Sequence, residues 1–411
     1  MITKKTKILI AVASLGYFVD AFDLILFGVV RVPSLKSLGL SDIEILEQGQ
    51  KLFNFQMFGM LVGGLLWGIL GDKKGRKSVL FGSIIIYSLA NFLNGFVTDL
   101  TTYSLLRFIA GVGLAGELGI GVTLVSESLP KEKRGYGPTI IATAGAIGAL
   151  SAPLVFKFAN NFNLPFEAWQ FSYLFGGIMG FILLLLRIGV MESEMFKSIK
   201  HTANKGNFFF LFLNKTRLKK YIFCILLGLP VWYVISILAL VAPEMAKALN
   251  VEGKISSGDA IFYMYSGLAF GDFACGLLSQ LLKSRKIAIY IYLFFAMIVS
   301  LVYLKSDGLA AQLFYVLCFL LGVVAGYWAL FVTVASEQFG TNLRATVTTT
   351  VPNFVRGAVV LINMAFLALS KNEGLINAAI IVGIVCFGLA FISNYFLPES
   401  FHNDLDYLEE V

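Results

Sequence analysis

Six ionisable side chains interrupt the long apolar runs of this chain, and these positions are where chemistry is expected. Asp20 and Asp23 lie three residues apart, so a helix would place both carboxylates on one face. A charge inside an apolar segment costs free energy, which makes each such residue a functional candidate by default. The six residues are Asp20, Asp23, Arg107, Glu117, Asp272 and Arg356.

Of these six residues, the three acidic ones in the first half of the chain are the predicted carriers of a proton. The chain has only two histidines, and both lie in polar segments, so a buried imidazole is not available for this work. We therefore expect Asp20, Asp23 and Glu117 to carry it, with Arg107 as their counter-ion. At a rise of about 1.5 Å per residue, Asp23 and Arg107 fall at similar depths in their segments. An Asp23–Arg107 pair is therefore geometrically possible, and a static ion pair that only fixes helix packing is the alternative to a functional one.

Arg356 is the predicted ligand of a small organic anion. Its guanidinium can bind a carboxylate through two parallel hydrogen bonds, and its position in the segment lies near the middle of the bilayer. A static pair with Asp272 is the alternative for this arginine. A zwitterionic ligand, with its cationic end on an aromatic ring, is the second possibility. Neutral contacts to the ligand are expected from Gln56, Tyr327, Trp328 and Asn353.

These residues must be positioned by membrane-spanning helices. The 411 residues are 58% hydrophobic and 14% charged, a composition typical of membrane proteins rather than of a soluble domain. We predict an all-α membrane protein with twelve spans. They fall at about 8–30, 52–70, 78–98, 101–125, 137–159, 169–190, 219–242, 258–282, 286–304, 311–334, 345–370 and 373–396.

The distribution of basic residues predicts the orientation of these spans. With the N-terminus in the cytoplasm, 22 of the 32 Lys and Arg residues fall on the inner side and eight on the outer side. This bias follows the positive-inside rule and places both termini in the cytoplasm, in an inner or plasma membrane. It also accounts for the net charge of +7 without a nucleic-acid partner.

The two halves of the chain repeat. The segment Thr123-Leu-Val-Ser-Glu127 followed by Arg134 matches Thr333-Val-Ala-Ser-Glu337 followed by Arg344, at a constant offset of 210. An internal repeat across two sets of six helices is typical of transporters that alternate access to a central site. We predict an N-terminal bundle at 1–190, a cytoplasmic linker at 191–218 and a C-terminal bundle at 219–411.

The loop Gly71-Asp-Lys-Lys-Gly-Arg-Lys77 carries a family resemblance. The order Gly-Asp-x-x-Gly-Arg-Lys between two apolar spans resembles the loop between helices 2 and 3 of the major facilitator superfamily. The resemblance implies twelve helices in two pseudo-symmetric six-helix bundles that rock about a central site. It also implies that charged pairs on the cytoplasmic side act as gates. The implied gating residues are Asp72, Arg76, Glu127 and Arg134, with Glu337 and Arg344 in the second half.

The segment from Asp20 to Gly28 and the span that contains Arg107 and Glu117 resemble the metabolite:proton symporter branch and neighbouring organic-acid branches. This resemblance implies import of a small metabolite together with protons. Two departures stand out. The Gly-Pro motif seen in many exporters is incomplete at 148–153, which argues against export. The counterpart of the loop motif in the second half has Gln280 in place of its Asp.

Other function classes receive no support from the sequence. No Gly-x-x-x-x-Gly-Lys-Ser/Thr phosphate loop and no His/Cys cluster occurs, so no enzyme, cofactor or metal is predicted. We expect a secondary transporter that imports a carboxylate metabolite with protons and works as a monomer in a lipid bilayer. A proton-coupled symporter of an amino acid or betaine is the first alternative. A receptor-like paralogue that has lost transport is the second.

Overall fold

The computed structural model describes residues 4–74, 76–117, 119, 121, 125, 136–162, 164–188 and 208–401. Helices form nearly all of this part of the chain. Within it, the β-structure consists of one isolated bridge between Glu252 and Ala310. The fold is therefore all-α, as predicted.

In the described part of the first half of the chain there are six helices, and local capping explains where two of them begin. The Asp99 carboxylate accepts a hydrogen bond from the backbone N–H of Thr102 at 2.8 Å. Glu167 and Gln170 form a reciprocal capping box. The helices are α1 (Lys4–Ser37), α2 (Asp42–Lys74), α3 (Arg76–Asn94), α4 (Leu100–Leu114), α5 (Tyr136–Asn161) and α6 (Ala168–Arg187).

The second half is more broken than the apolar runs predict. A short 3-10 helix, Phe208–Leu211, precedes it, and the segment Val234–Ala239 is a π-helix. The helices are α7 (Lys215–Leu227), α8 (Leu229–Tyr233), α9 (Ala242–Ala248), α10 (Ser257–Leu282), α11 (Arg285–Lys305), α12 (Ala311–Ala325), α13 (Trp328–Glu337) and α14 (Thr341–Phe396).

Four of the predicted spans have different boundaries in the structure. The span at 219–242 is divided into α7, α8 and the π-helix, because Pro230 cannot donate a backbone hydrogen bond within a continuous helix. The span at 311–334 is interrupted between α12 and α13, at Gly326. The last two spans run together as α14, and Gly374 marks their junction with a φ of 77°.

Hydropathy and length agree with a membrane location. Among the described residues, eight helices are long and apolar enough to cross a membrane, and one of them, Thr346–Phe396, is 51 residues long. Two shorter apolar helices, Ser78–Asn94 and Leu100–Leu114, coincide with the third and fourth predicted spans.

The chain divides into two compact units that do not coincide with its sequence halves. The first unit contains Met1–Phe27, Lys51–Phe210 and Asn342–Asn353. The second unit contains Gly28–Gln50, Leu211–Thr341 and Phe354–Val411. Helices α1, α2 and α14 therefore each contribute residues to both units. The predicted division at 1–190, 191–218 and 219–411 stays a prediction, and residues 189–207 of its linker lie outside the described residues.

In the first unit, α3 packs against both α4 and α6. The close approach to α4 depends on Gly113, where a Cβ atom would lie 2.6 Å from the backbone nitrogen of Tyr87. A larger residue at 113 would push the two helices apart. This packing places one face of α3 opposite the charged residues of α1, α4 and α6.

Candidate functional site

Arg107 of α4 forms the centre of a buried polar cluster in the first unit. Its side chain is fully buried, and Nη2 donates a hydrogen bond to Oδ1 of Asn91 on α3. The guanidinium also lies over the rings of Tyr173 and Phe27, at 5.0 and 6.0 Å from their centroids. Aromatic faces attract a cation, so these rings stabilise the charge where water is absent.

Asp23 lies beside this cluster, where Arg107 attracts it without a direct ion pair, the arrangement that the sequence left as a possibility. The carboxylate of Asp23 is fully buried and is attracted by Arg107, and it also interacts with Asn91. Neither of its oxygens makes a hydrogen bond of normal geometry among the described residues. Asn91 therefore links the two charged groups, and depth along the helices alone could not reveal it.

Glu117 makes a buried ion pair with Arg187, a residue that the sequence assigned to the inner connection. The two Arg187 nitrogens Nη1 and Nη2 donate to the two carboxylate oxygens at 2.8 and 2.7 Å. The Ser83 hydroxyl donates to Glu117 Oε1 at 3.0 Å, and Arg187 also donates to the backbone oxygen of Leu80. This bidentate, fully hydrogen-bonded arrangement is the geometry in which a buried pair is well compensated.

Helix α1 covers this pair at Gly16. A Cβ atom at this position would lie 2.0 Å from Nη2 of Arg187 and 3.0 Å from Oε2 of Glu117. Asp20, one turn further along α1, is fully buried and interacts electrostatically with Arg187. The first unit thus brings the predicted proton carriers Asp20, Asp23 and Glu117 into one region with two arginines.

Arg356 of α14 is buried in the second unit beside a pair of tryptophans. Its guanidinium carbon lies 5.7 Å from the ring centroid of Trp232 and 5.7 Å from that of Trp328. The two rings are themselves in contact, with centroids 6.1 Å apart and an interplanar angle of 77°. Trp328 was predicted as a ligand contact, and Trp232 was missed because nothing in its spacing distinguishes it from a core residue.

The alternative partner of Arg356, Asp272, has a different role. Its carboxylate accepts a hydrogen bond from the backbone N–H of Ala329 at 3.0 Å, at the start of α13. A carboxylate at a helix N-terminus satisfies a donor that has no partner within the helix. Asp272 therefore stabilises the break between α12 and α13.

The neutral residues predicted beside Arg356 are distributed over both units. Tyr327 is buried in the second unit, and its hydroxyl donates to the backbone oxygen of Leu227 at 3.1 Å. Gln56 lies in the first unit. Asn353 also lies there, and its amide donates to the backbone oxygens of Ala115 and Thr349 at 3.1 and 3.0 Å. These contacts hold helices together, so Arg356 and its two tryptophans are left as the candidate ligand site.

Glu337 belongs to a network at the end of α13. It pairs with Arg285 at 3.2 Å and accepts a hydrogen bond from the Ser400 hydroxyl at 2.7 Å. Arg285 is one of the two basic residues that survive in the second-half counterpart of the loop motif. The other predicted gating side chains cannot be placed. Glu127 and Arg134 lie outside the described residues, and the side chains of Asp72, Arg76 and Arg344 are not described either.

Glu399 anchors the segment after α14 to the start of α11. It accepts hydrogen bonds from the Ser284 hydroxyl and from the backbone N–H groups of Arg285 and Lys286. Burial raises the pKa of this carboxyl, but the hydrogen bonds outweigh burial and hold the pKa below its ordinary value.

A second buried ion pair joins α1 to α9 within the second unit. Arg31, which the sequence assigned to a loop, is fully buried, and its Nη1 and Nη2 lie 2.8 Å from the two oxygens of Glu244. Arg31 also donates to the backbone oxygen of Leu240 at 2.9 Å. A nearby exposed pair, Lys247 with Asp42 at 2.7 Å, joins the same part of the chain to α2.

The family model described as Major Facilitator Superfamily matches residues 13–360. The chain belongs to this superfamily. It has the twelve-helix fold of the family, and the predicted fold class is therefore confirmed. The partially occluded, inward-open xylose transporter XylE from E. coli matches it with a TM-score of 0.75, over 98% of this chain and 100% of that chain. The two sequences are 15% identical.

Two curated relatives are transporters by name. The niacin transporter NiaP of Acinetobacter baylyi is 31% identical over 198 residues, which cover 48% of this chain and 42% of that protein. The match thus spans less than half the length of this relative. The probable 4-methylmuconolactone transporter of Cupriavidus pinatubonensis is 27% identical over 400 residues, 94% of this chain and 89% of that protein. The family is one of transporters rather than enzymes, and the chain is an integral membrane protein.

Proposed function

We propose that this protein is a secondary transporter that imports a small, planar carboxylate together with a proton. Arg356 beside the paired rings of Trp232 and Trp328 is the observation that carries the proposal. A guanidinium binds a carboxylate through a planar pair of hydrogen bonds, and flat aromatic walls favour a flat ligand. The arrangement suits a carboxylate attached to an unsaturated ring.

The names of the relatives agree with this ligand class. Niacin is a carboxylate on an aromatic ring, and 4-methylmuconolactone is a small unsaturated ring that carries a carboxylate side chain. Both compounds share the two features that the residues around Arg356 would recognise. We therefore propose aromatic and ring-unsaturated monocarboxylates as the substrate class.

A zwitterionic substrate is the less favoured candidate. Its cationic end would need the face of an aromatic ring, and the faces of both tryptophans near Arg356 already interact with the guanidinium. A second cation at the same rings would be repelled by Arg356 in a region of low dielectric constant. This repulsion favours an anion over an amino acid or a betaine.

Proton coupling is proposed to reside in the first unit. Asp20, Asp23 and Glu117 there face two arginines, Arg107 and Arg187, so the five groups sum to one negative charge when all are ionised. A net charge in a buried region is costly, and a single proton removes it. The five side chains therefore have no net charge when one proton is bound and a net charge of −1 when it is released. This is the property that a coupling site needs.

We further propose that the protein works as a monomer. Both termini are proposed to lie in the cytoplasm, as the distribution of basic residues predicts. Labelling of a cysteine placed at Lys73 by an impermeant reagent applied outside intact cells would contradict this orientation.

Uptake into proteoliposomes tests the proposed function. Purified protein is reconstituted, an inward proton gradient is imposed, and accumulation of labelled nicotinate, benzoate and glycine betaine is measured. We expect accumulation of a ring carboxylate that disappears when a protonophore is added, and no accumulation of betaine. Betaine uptake would favour the zwitterion symporter. No uptake of any compound would favour the receptor-like alternative.

A further inference from the structure

One face of α3 carries a line of buried polar side chains that the sequence did not single out. Ser83, Tyr87, Asn91 and Asn94 follow one another at intervals of four, four and three residues, so they share one face of the helix. All four are buried. This face lies against α4 and α6, and it spans about 12 Å between Ser83 and Asn91 at about 1.5 Å per residue.

The stretch of this line from Ser83 to Asn91 touches the two charged clusters of the first unit at its two ends. The Ser83 hydroxyl donates to Glu117, which is paired with Arg187. The Asn91 amide accepts from Arg107 and interacts with Asp23. The line on α3 therefore connects the acidic residue of one cluster to the acidic residue of the other.

Tyr87 lies between these ends and has no other evident role. Its side chain is fully buried, yet its hydroxyl makes no hydrogen bond among the residues that the structure describes. It interacts electrostatically with Glu117, Arg187, Asp23 and Asp20, and thus with both clusters. Buried hydroxyl groups in native proteins nearly always have a partner, so an unused one among four charged groups calls for an explanation.

We propose that the Tyr87 hydroxyl passes the coupling proton between Asp23 and Glu117. In this step the carboxylic O–H of Asp23 breaks and a new O–H forms on the Tyr87 oxygen. The original phenolic proton leaves at the same time for the Glu117 carboxylate. Tyr87 ends the step as it began, and one proton has moved. An ordered water on either side can extend the reach without changing the balance.

This step would connect protonation to packing. A proton on Glu117 removes its negative charge and weakens the pair with Arg187, which ties the segment after α4 to the end of α6 at Gly16 of α1. The other titratable groups around Tyr87 are Asp20 and Asp23 on α1, with Tyr173 on α6 beside Arg107. The proposal rests on the proposed proton coupling and assigns its internal path.

The test compares Tyr87→Phe with Tyr303→Phe. Tyr303 is equally buried, but it belongs to the second unit, and its hydroxyl donates to the backbone oxygen of Leu238. Two rates are measured in proteoliposomes with labelled nicotinate or benzoate, whichever the wild-type protein accumulates. The first is accumulation driven by a pH gradient, which requires net proton movement. The second is exchange of external label for internal unlabelled compound at equal pH, which does not.

We expect Tyr87→Phe to slow pH-driven accumulation about 100-fold, the lower range for removal of a group that transfers a proton, and to leave exchange within about twofold. Tyr303→Phe should leave both rates near the wild-type values. Among the described residues the hydroxyl of Tyr87 has no hydrogen bond to lose, so the melting temperature should stay within about 2 °C of wild type.

Equal loss of accumulation and exchange, or a large fall in melting temperature, would mean that Tyr87 supports structure only and would overturn the proposal. If Tyr87→Phe accumulated the compound at the wild-type rate, the proposed role of Tyr87 would be overturned, while the proposed proton coupling would still stand. If the wild-type protein itself showed no pH-driven accumulation, the proposed coupling and the role of Tyr87 would both fall.

Discussion

The buried pair of Glu117 and Arg187 allows a prediction of stability with a worked magnitude. Replacement of Arg187 by Met removes two hydrogen bonds to Glu117 and one to the backbone oxygen of Leu80. It also leaves the Glu117 carboxylate, which is 2% exposed, without its cation. The loss of one member of a buried pair costs about 3–5 kcal/mol. At about 2–4 °C per kcal/mol, the midpoint of thermal unfolding should fall by about 6–20 °C.

The double variant Glu117→Leu with Arg187→Met distinguishes the stability contributed by the ion pair from the cost of leaving one charge buried without its partner. With both charges replaced by apolar groups of similar volume, no ion is left buried and most of the lost stability should return. Unfolding is followed by circular dichroism in detergent. A matched control is Lys247→Met, which breaks the exposed Lys247–Asp42 pair and should leave the midpoint unchanged.

A double variant as unstable as the sum of its single variants would refute this reasoning. It would mean that the two residues stabilise the first unit independently, and that the pair could not respond to protonation of Glu117 as a unit.

Two further predictions concern the second unit. Glu244→Gln should weaken the ion pair with Arg31 that joins α1 to α9. A cysteine introduced at the buried position Ser34 should then react faster with an impermeant maleimide than the same cysteine in a protein that keeps Glu244. Equal reaction rates would contradict this prediction. The lowered pKa of Glu399 means that its contribution to stability is complete above pH 4.5, its ordinary value, and is lost as the pH falls through the lower folded-state pKa. The wild-type protein should therefore have a higher melting temperature than Glu399→Gln at pH 7, and the two melting temperatures should become equal in acid. A difference in melting temperature that persists in acid would contradict this prediction.

The helical framework could be predicted where hydropathy and length alone decide the outcome. Segment 258–282 is matched by α10 at Ser257–Leu282, and segment 286–304 by α11 at Arg285–Lys305. The breaks could not be located in the same way, because Pro230 and Gly326 act through local backbone geometry that an average over an apolar run conceals. The predicted gap between the last two spans, at 371–372, lies two residues before the non-helical Gly374 within α14.

The charged residues of the site were found because a charge in an apolar run is visible in the sequence. Their partners were harder to find, since a partner is set by tertiary packing. Arg187 and Arg31 sit at the ends of apolar runs, where a count of basic residues treats them as loop charges. The spacing of the polar residues on α3, at intervals of four, four and three, can be read from the sequence. Its importance follows only from the structure, in which α4 and α6 pack against α3.

The direct measurement of the central claim is the affinity of Arg356 variants for a carboxylate. Equilibrium binding of labelled nicotinate or benzoate is measured for wild type, Arg356→Lys and Arg356→Ala in detergent. The control is Arg217→Lys, which alters another buried arginine of the second unit. A hydrogen bond to a charged group contributes about 1.5–3 kcal/mol, so the loss of the guanidinium fork should raise the dissociation constant about 10- to 100-fold. Unchanged affinity in both folded Arg356 variants would contradict the claim that Arg356 binds the substrate.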